Sequence, residues 1–328
     1  MPTKFSLLMP TDYISDATYH INQAKTRVSL FTMVIGNDDS TSAILRALNE
    51  AVNRGVKVEV AADIYTYLEH GGMILANKYL SKSSRQVTKM AKEFVKNGVK
   101  FIWLGKSHTT VFNGRNHIKW CVVDDIVYSF GGVNLYNYGI ACNDYMIKTT
   151  SKQLADELID ESKRIIAADT GPFAYPSHSF AVDEDEVLID GGLIGESIIY
   201  RRVCELTREA NRVTLVSQFC PTGKLSRLLK ITDSKLYFNP PKSTTGLNKF
   251  FIKTSILLSG NQSLYTRDQY LHTKLMIFEM KNGQKIAVTG SHNFAYTGVI
   301  LGTHEIAIQT KNPLIIKQLE DFVAQSIV

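Results

Sequence analysis

The chain has 328 residues, 44% of them hydrophobic and 21% charged. That is the make-up of a folded globular protein with a large core, and it excludes a mainly disordered, collagen-like or disulfide-scaffold chain. Lys and Arg number 37 against 31 Asp and Glu, a net charge of +6 that favours an anionic partner without choosing among nucleic acid, a phospholipid headgroup and a phosphate ester.

Met1–Pro10 reads MPTKFSLLMP, an apolar run too short for the core of a signal peptide. Asp16–Gln23 is helix-like and leads into a β-branched strand at Ala24–Leu30. Residues 53–63 (NRGVKVEVAAD) and 96–105 (KNGVKFIWLG) each pass from a helix end through Gly into an alternating strand. Glycine is the usual left-handed residue after a helix, and V-K-V alternation is strand-like. Between them Ser84–Lys96 places Val87, Met90, Ala91 and Phe94 at helical spacing. His117–Asp124 (HIKWCVVD) reads as a strand that turns at Asp124–Asp125 and returns over Ile126–Phe130. Thr170–Gly192, rich in Gly, Pro, Ser and acids, reads as a linker between halves 1–175 and 176–328. The second half repeats the order: helix-like Glu196–Glu209, strand Ala210–Leu215, a loop from Asn239 to Gly246, and strand His272–Phe278. A hairpin at Lys281–Gln284 carrying Asn-Gly then returns over Ile286–Thr289.

The order of events is therefore the same twice. Arg27 to His117 spans 90 residues and Arg212 to His272 spans 60, so the first copy carries about 30 more, placed near 65–98. Alternating helix and strand predicts an α/β fold, a duplicated unit of mixed, mostly parallel sheets covered by helices. Cys121, Cys142, Cys204 and Cys220 form no C-x-x-C pair and read as reduced structural thiols. No metal or cofactor is expected. No stretch approaches the roughly 20 apolar residues of a membrane span. The expectation is a cytoplasmic protein whose membrane contact, if it has one, is peripheral.

The chemistry sits in a pattern that occurs in both copies: H-x-K, a carboxylate five residues past the Lys, then G-[GS]-x-N. His117, Lys119, Gly132 and Asn134 make the first; His272, Lys274, Ser291 and Asn293 make the second. In an extended chain residues i and i+2 face the same way, so each His projects with its Lys. The glycines before each Asn let backbone approach a bound group closely. Two Lys and two Asn are donors suited to the non-bridging oxygens of a phosphodiester.

HIKWCVVD…GGVN and HTKLMIFE…GSHN resemble the two HKD motifs of the phospholipase D superfamily. The resemblance covers about Ile14 to Ile308, and Asn113–Leu135 is similar to the first motif of its cardiolipin synthase and phosphatidylserine synthase-like branch. It implies two α/β/α halves facing across a pseudo-twofold axis, with one shared site complete within a monomer. It further implies a covalent mechanism, with His117 as nucleophile forming a phosphohistidine and His272 as general acid and base. By the same resemblance Lys119, Lys274, Asn134 and Asn293 hold the phosphoryl oxygens. Asp144 and Glu305 orient the imidazoles, Asp124 and Glu279 are structural acids, and Arg115, Gly132, Ser291 and His292 are pocket candidates. Glu279 stands where the family has Asp, and Phe294–Gly298 replaces the D-x-R-S run of cardiolipin synthases.

The leading expectation is a phosphodiesterase or phosphatidyltransferase acting on phospholipids. The alternative is a metal-independent endonuclease on DNA or RNA, and a third reading is an inactive binding protein. Lys242, Lys249, Phe250 and Phe251 are candidates for a nucleic-acid groove. Tyr65, Tyr67, Met73, Ile74 and Leu75 are candidates for a lipid-facing mouth. His20, His70, His108, His178 and His304 read as structural or exposed.

Overall fold

The repeat becomes two seven-stranded sheets in the computed structural model, which describes residues 5–71, 81–105, 114–170, 174–244 and 246–328. Met73, Ile74, Leu75, His108 and Asn113 lie outside the described residues. The first half begins with β1 (Ser6–Leu8), α1 (Pro10–Gln23), β2 (Arg27–Thr32), α2 (Ser42–Asn53), β3 (Lys57–Asp63) and α3 (Tyr65–Gly71). It continues with α4 (Lys82–Lys96), β4 (Lys100–Leu104), β5 (Trp120–Val123), β6 (Ile126–Ser129), α5 (Asn137–Ala141), β7 (Met146–Thr150) and α6 (Lys152–Thr170). The second half begins with β8 (His178–Val182), β9 (Asp185–Gly191), α7 (Ile198–Glu209), β10 (Ala210–Ser217), α8 (Gly223–Ile231) and β11 (Asp233–Phe238). After it come α9 (Gly246–Ser259), β12 (Leu275–Met280), β13 (Lys285–Gly290), α10 (Tyr296–Leu301), β14 (His304–Thr310) and α11 (Pro313–Phe322).

The strand orders are β1-β7-β6-β5-β2-β3-β4 and β8-β9-β14-β13-β12-β10-β11. Six strands of each sheet match one to one, from β1 with β9 to β3 with β11. β4 and β8 have no counterpart. Both sheets are mixed, but the expected mostly parallel pairing holds only for β2·β3, β3·β4 and β10·β11. Those are the helix-crossover connections. The strands around each motif are hairpins, β5–β6 and β12–β13, and hairpins pair antiparallel.

Two other expectations are corrected. The 170–192 stretch is not simply a linker: β9 pairs with β14 along its length, and Val187, Leu188 and Ile189 are fully buried. Its flanking acids and the tight β8–β9 turn, with Asp183 at φ 52°, masked the strand in the sequence. The extra length of the first copy is also split. Arg27 pairs with Lys57 where Arg212 pairs with Asp233, so part of it lies between β2 and β3. The rest precedes His117 and includes α4 and β4.

One core cluster joins the two halves. Trp120, Val122, Tyr145 and Ile147 of the first sheet share it with Leu275, Ile277, Ile306 and Ile308 of the second, and with Leu158 of α6 and Leu319 of α11. Trp120 has no exposed surface, and its truncation to Ala is expected to cost about 3–5 kcal/mol. The outer faces have their own covers: α1, α2 and α4 over the first sheet, α7 and α8 over the second. Local chemistry starts these helices. Pro10 opens α1, Ser81 Oγ accepts from Ser84 N ahead of α4, and Asn312 caps α11 at the Pro313 start.

The halves are also laced by backbone. His117 N donates to His304 O (2.9 Å) and His304 N to Arg115 O (2.9 Å). The symmetry-related pair is His272 N to Asn143 O (3.0 Å) and Asn143 N to Tyr270 O (2.8 Å). Each motif histidine is thus anchored to the strand end that carries the other half's acid.

Candidate active site

Each motif histidine stands on an extended segment just ahead of a central strand, β5 or β12. A side chain at the end of a neighbouring strand fixes that segment. Asp63, last residue of β3, accepts from Asn116 N (2.8 Å), and Asn239, just past β11, accepts from Leu271 N (2.9 Å). Sequence reasoning missed both; their signal was a polar residue ending an otherwise apolar strand.

The imidazoles are held across the molecule. His117 Nδ1 lies 3.0 Å from Glu305 Oε2, and His272 Nδ1 lies 2.7 Å from Asp144 Oδ2. All four groups are buried. A carboxylate only accepts at this pH, so each Nδ1 is the donor and each Nε2 carries the free lone pair. Burial is the main force on both imidazoles, lowering His117 to about 4 and His272 to about 3. The lysine charges push the same way, against the carboxylates. Glu305 is lowered to about 2; burial opposes that, and His117 beside it overcomes the burial. Asp144 is likewise lowered, with burial opposing and His272 and Lys274 prevailing.

Lys119 and Lys274 are almost completely buried. Lys119 Nζ donates to His117 O at 2.6 Å, and Lys274 Nζ donates to His272 O. Each ammonium keeps two further N–H groups. Burial and mutual repulsion lower Lys119 to about 7; burial lowers Lys274 to about 8. The carboxylates of Glu305 and Asp144 offset part of this, and the two lysines remain the cationic groups nearest the imidazoles.

The glycine and asparagine positions close the arrangement. A Cβ on Gly132 would lie 2.5 Å from Asp144 Oδ2 and 3.0 Å from His272 Nδ1, and one on Gly131 1.8 Å from Tyr145 O. In the second copy Ser291 takes the Gly132 position and donates through Oγ to Glu305 Oε2, while accepting from Ile306 N (3.0 Å). Asn134 Oδ1 accepts from Val34 N (3.3 Å), which leaves its amide NH2 as the donor; Asn293 Oδ1 is buried without a partner among the described residues. His292 is buried with Nδ1 accepting from Phe294 N (2.9 Å) and Nε2 without a partner among the described residues.

The remaining predicted residues lie elsewhere. Asp124 accepts from Lys25, Thr26 and Arg27 N at 2.8–3.0 Å and ties the α1–β2 turn to the β5–β6 turn. Glu279 sits at the far end of β12, 3.6 Å from Arg212. Arg115 lines the cavity, but its guanidinium is committed to Asp63 (3.0 Å) and Gly105 O (3.0 Å). Among the described residues no group of three or more His, Cys, Asp or Glu is placed to hold a metal ion.

A cavity of about 650 Å³ opens onto His117, His272, Asn134, Asn293, His292 and Glu305. Tyr65, Tyr136, Tyr138 and Tyr270 wall one side; Arg227, Lys230, Phe251 and Leu258 belong to the other, from α8 and α9. Of the residues proposed for a lipid-facing mouth, Tyr65 is in this wall and Tyr67 is instead buried against Trp103. The other three tyrosines carried no signal in the sequence: Tyr136 and Tyr138 stand at the start of α5 and Tyr270 ahead of β12, and only the fold brings them together.

Residues 18–166 match the family model described as cardiolipin synthase, PLD-like domain. Residues 18–166 are thus a phospholipase D-like domain. No curated protein matches it in sequence. Its phospholipase D-like fold is similar to the crystal structure of phosphatidylserine synthase from Haemophilus influenzae Rd KW20. The TM-score there is 0.69 at 13% identity, over 99% of this chain and 87% of that one. It is also similar to polyphosphate kinase from Porphyromonas gingivalis, at TM-score 0.60 and 11% identity, over 97% of this chain and 49% of the other. The phospholipase D-like family is one of phosphodiesterases and phosphatidyltransferases. Among the described residues no helix is long and apolar enough to cross a membrane.

Proposed function

We propose that this phospholipase D-like chain cleaves or transfers the phosphodiester of phospholipids through a phosphohistidine. The observation that supports it best is the crossed pair of buried imidazole–carboxylate contacts, His117–Glu305 and His272–Asp144, with a buried lysine two residues after each imidazole and both imidazoles opening onto a cavity walled largely by aromatic and apolar side chains. The family model and the full-length structural neighbour both carry names of phospholipid synthases, which fits the same substrate class.

The anionic phosphodiester enters between Lys119, Lys274, Asn134 and Asn293. In the free site both imidazoles are neutral at neutral pH, because two nearby ammoniums and burial hold them low. The arriving negative charge offsets the lysines, so one imidazole takes up a proton on binding. His117 Nε2 attacks phosphorus, forming the N–P bond as the P–O bond to the leaving alcohol breaks. His272 Nε2–H gives its proton to that oxygen. Water or an acceptor alcohol then surrenders a proton to His272 and displaces His117, restoring both imidazoles. Glu305 and Asp144 accept the Nδ1–H groups throughout and stabilise whichever ring becomes charged.

The deciding experiment offers phosphatidylglycerol vesicles and single-stranded DNA side by side to the purified chain and to His117→Asn. Release or transfer of phosphatidyl groups by the wild type alone, with intact DNA, is the expected result. DNA cleavage with untouched lipid would replace this reading with an endonuclease. Turnover of neither would favour a binding protein.

A further inference from the structure

α9 carries apolar residues on a face that none of the described residues covers. Ile252 is fully buried and anchors the helix, yet Phe250, Phe251, Leu257 and Leu258 are 62%, 41%, 84% and 77% exposed. Positions 250, 251, 254, 257 and 258 follow the spacing of a single helical stripe, here turned to solvent. Clustered exposed apolar side chains on one short element mark an interaction surface more often than a free one.

Three further observations say what covers it. Phe251 and Leu258 also line the cavity that holds His117 and His272, so the stripe is continuous with the mouth of the site. From Ser234 to Arg267 the sequence has no Asp or Glu, while Lys242 and Lys253 are exposed beside the stripe. Arg227 and Lys230, from α8, stand in the cavity wall next to α9. The surface is therefore apolar at its centre and cationic at its rim. Leu257 and Leu258, its most exposed members, offer no ring for a base to stack on, so a nucleic-acid strand fits it poorly. An anionic bilayer surface satisfies both parts.

We propose that α9 is a lipid-docking element. It lays Phe250, Phe251, Leu257 and Leu258 into the headgroup–acyl boundary of an anionic phospholipid surface and sets the mouth of the cavity against that surface. Lys242 and Lys253 meet the headgroup phosphates. The inference deepens the phospholipid reading above and rests on it for its purpose, though not for its geometry.

The test uses the full chain with phosphatidylcholine vesicles, with and without an equal part of phosphatidylglycerol, in a flotation assay. Phe250 and Leu257 lie outside the cavity wall, so the paired variant Phe250→Ser, Leu257→Ser leaves the site itself untouched. The expected result is flotation only with the anionic vesicles. The paired variant should weaken it at least about tenfold, and Lys242→Glu, Lys253→Glu similarly. The paired variant should keep wild-type turnover of bis(p-nitrophenyl) phosphate, a soluble probe. Equal flotation by variant and wild type would overturn the proposal, as would single-stranded DNA competing the vesicles off α9. The two readings fail separately. Phospholipid turnover in detergent without vesicle binding would refute docking alone, and α9-dependent vesicle binding without lipid turnover would refute the activity alone.

Discussion

The two halves make the same constellation by different local means. In the first, Gly132 leaves its backbone N–H 3.2 Å from Asp144 Oδ1, with no room for a side chain. In the second, Ser291 fills that position and donates to Glu305. A serine with the shorter Asp and a glycine with the longer Glu would not be interchangeable, because the Cβ clash at Gly132 involves both Asp144 and His272. Val133 is likewise replaced by His292, which brings a third imidazole to the cavity only on the second side. The groups proposed to meet the phosphate are the same in both halves. The differences fall on the groups that set how each imidazole is held, and the proposed two-step reaction needs that asymmetry, since one ring would attack while the other donates.

The largest test separates the two rings. His117→Asn is expected to lower kcat by about 10⁴-fold or more, because no nucleophile remains. His272→Asn is expected to lose about 10²–10⁴-fold on a phospholipid. It should lose far less on bis(p-nitrophenyl) phosphate, whose leaving group needs no acid. Mass spectrometry after alkaline quench should find phosphate on His117 in the His272→Asn variant. An adduct on His272 in the His117→Asn variant would reverse the assignment of roles between the halves.

Next in size are the lysines. Lys119→Met or Lys274→Met should each lower kcat/KM by about 10²–10³-fold. The wild type should be stabilised by inorganic vanadate in a melting assay, and either variant much less so. The free site begins to lose ammonium charge as pH rises through about 7 for Lys119 and about 8 for Lys274, so vanadate affinity should fall over that window. A flat affinity from pH 6 to 9 would mean that the lysines keep their protons and that burial depresses them less than the geometry implies.

Much of this was legible in the chain. The H-x-K and G-x-N repeats named the groups that converge, and Gly ahead of V-K-V found β3 and β4. Other features are set by contacts between distant segments. His117 meets Glu305 only because the sheets pack face to face, and no local pattern encodes which acid crosses to which ring. β9 was hidden by its acidic flanks. Lys249, Phe250 and Phe251 were singled out without the helix α9 that carries them, because its stripe of Phe250, Phe251, Leu257 and Leu258 has no core to face among the described residues. A stripe signals a helix through burial, and here the described residues do not bury it.

The carboxylates come next, with Glu305→Gln and Asp144→Asn each expected to cost about 10–100-fold in kcat with KM little changed. Ser291→Ala is the smallest and most discriminating change. Its Oγ–H lowers the basicity of Glu305, so its loss leaves a carboxylate that holds the Nδ1–H of His117 more strongly and favours the imidazolium. His117 then rises from about 4. The neutral, attacking form is depleted earlier as pH falls, and the acid limb of kcat/KM moves upward. Turnover at neutral pH should drop only about threefold to tenfold, the worth of one hydrogen bond. A merely structural serine would lower the melting temperature and leave the limb in place. A limb that moves, with the melting temperature unchanged, would tie the pH response to the serine that only the second half carries.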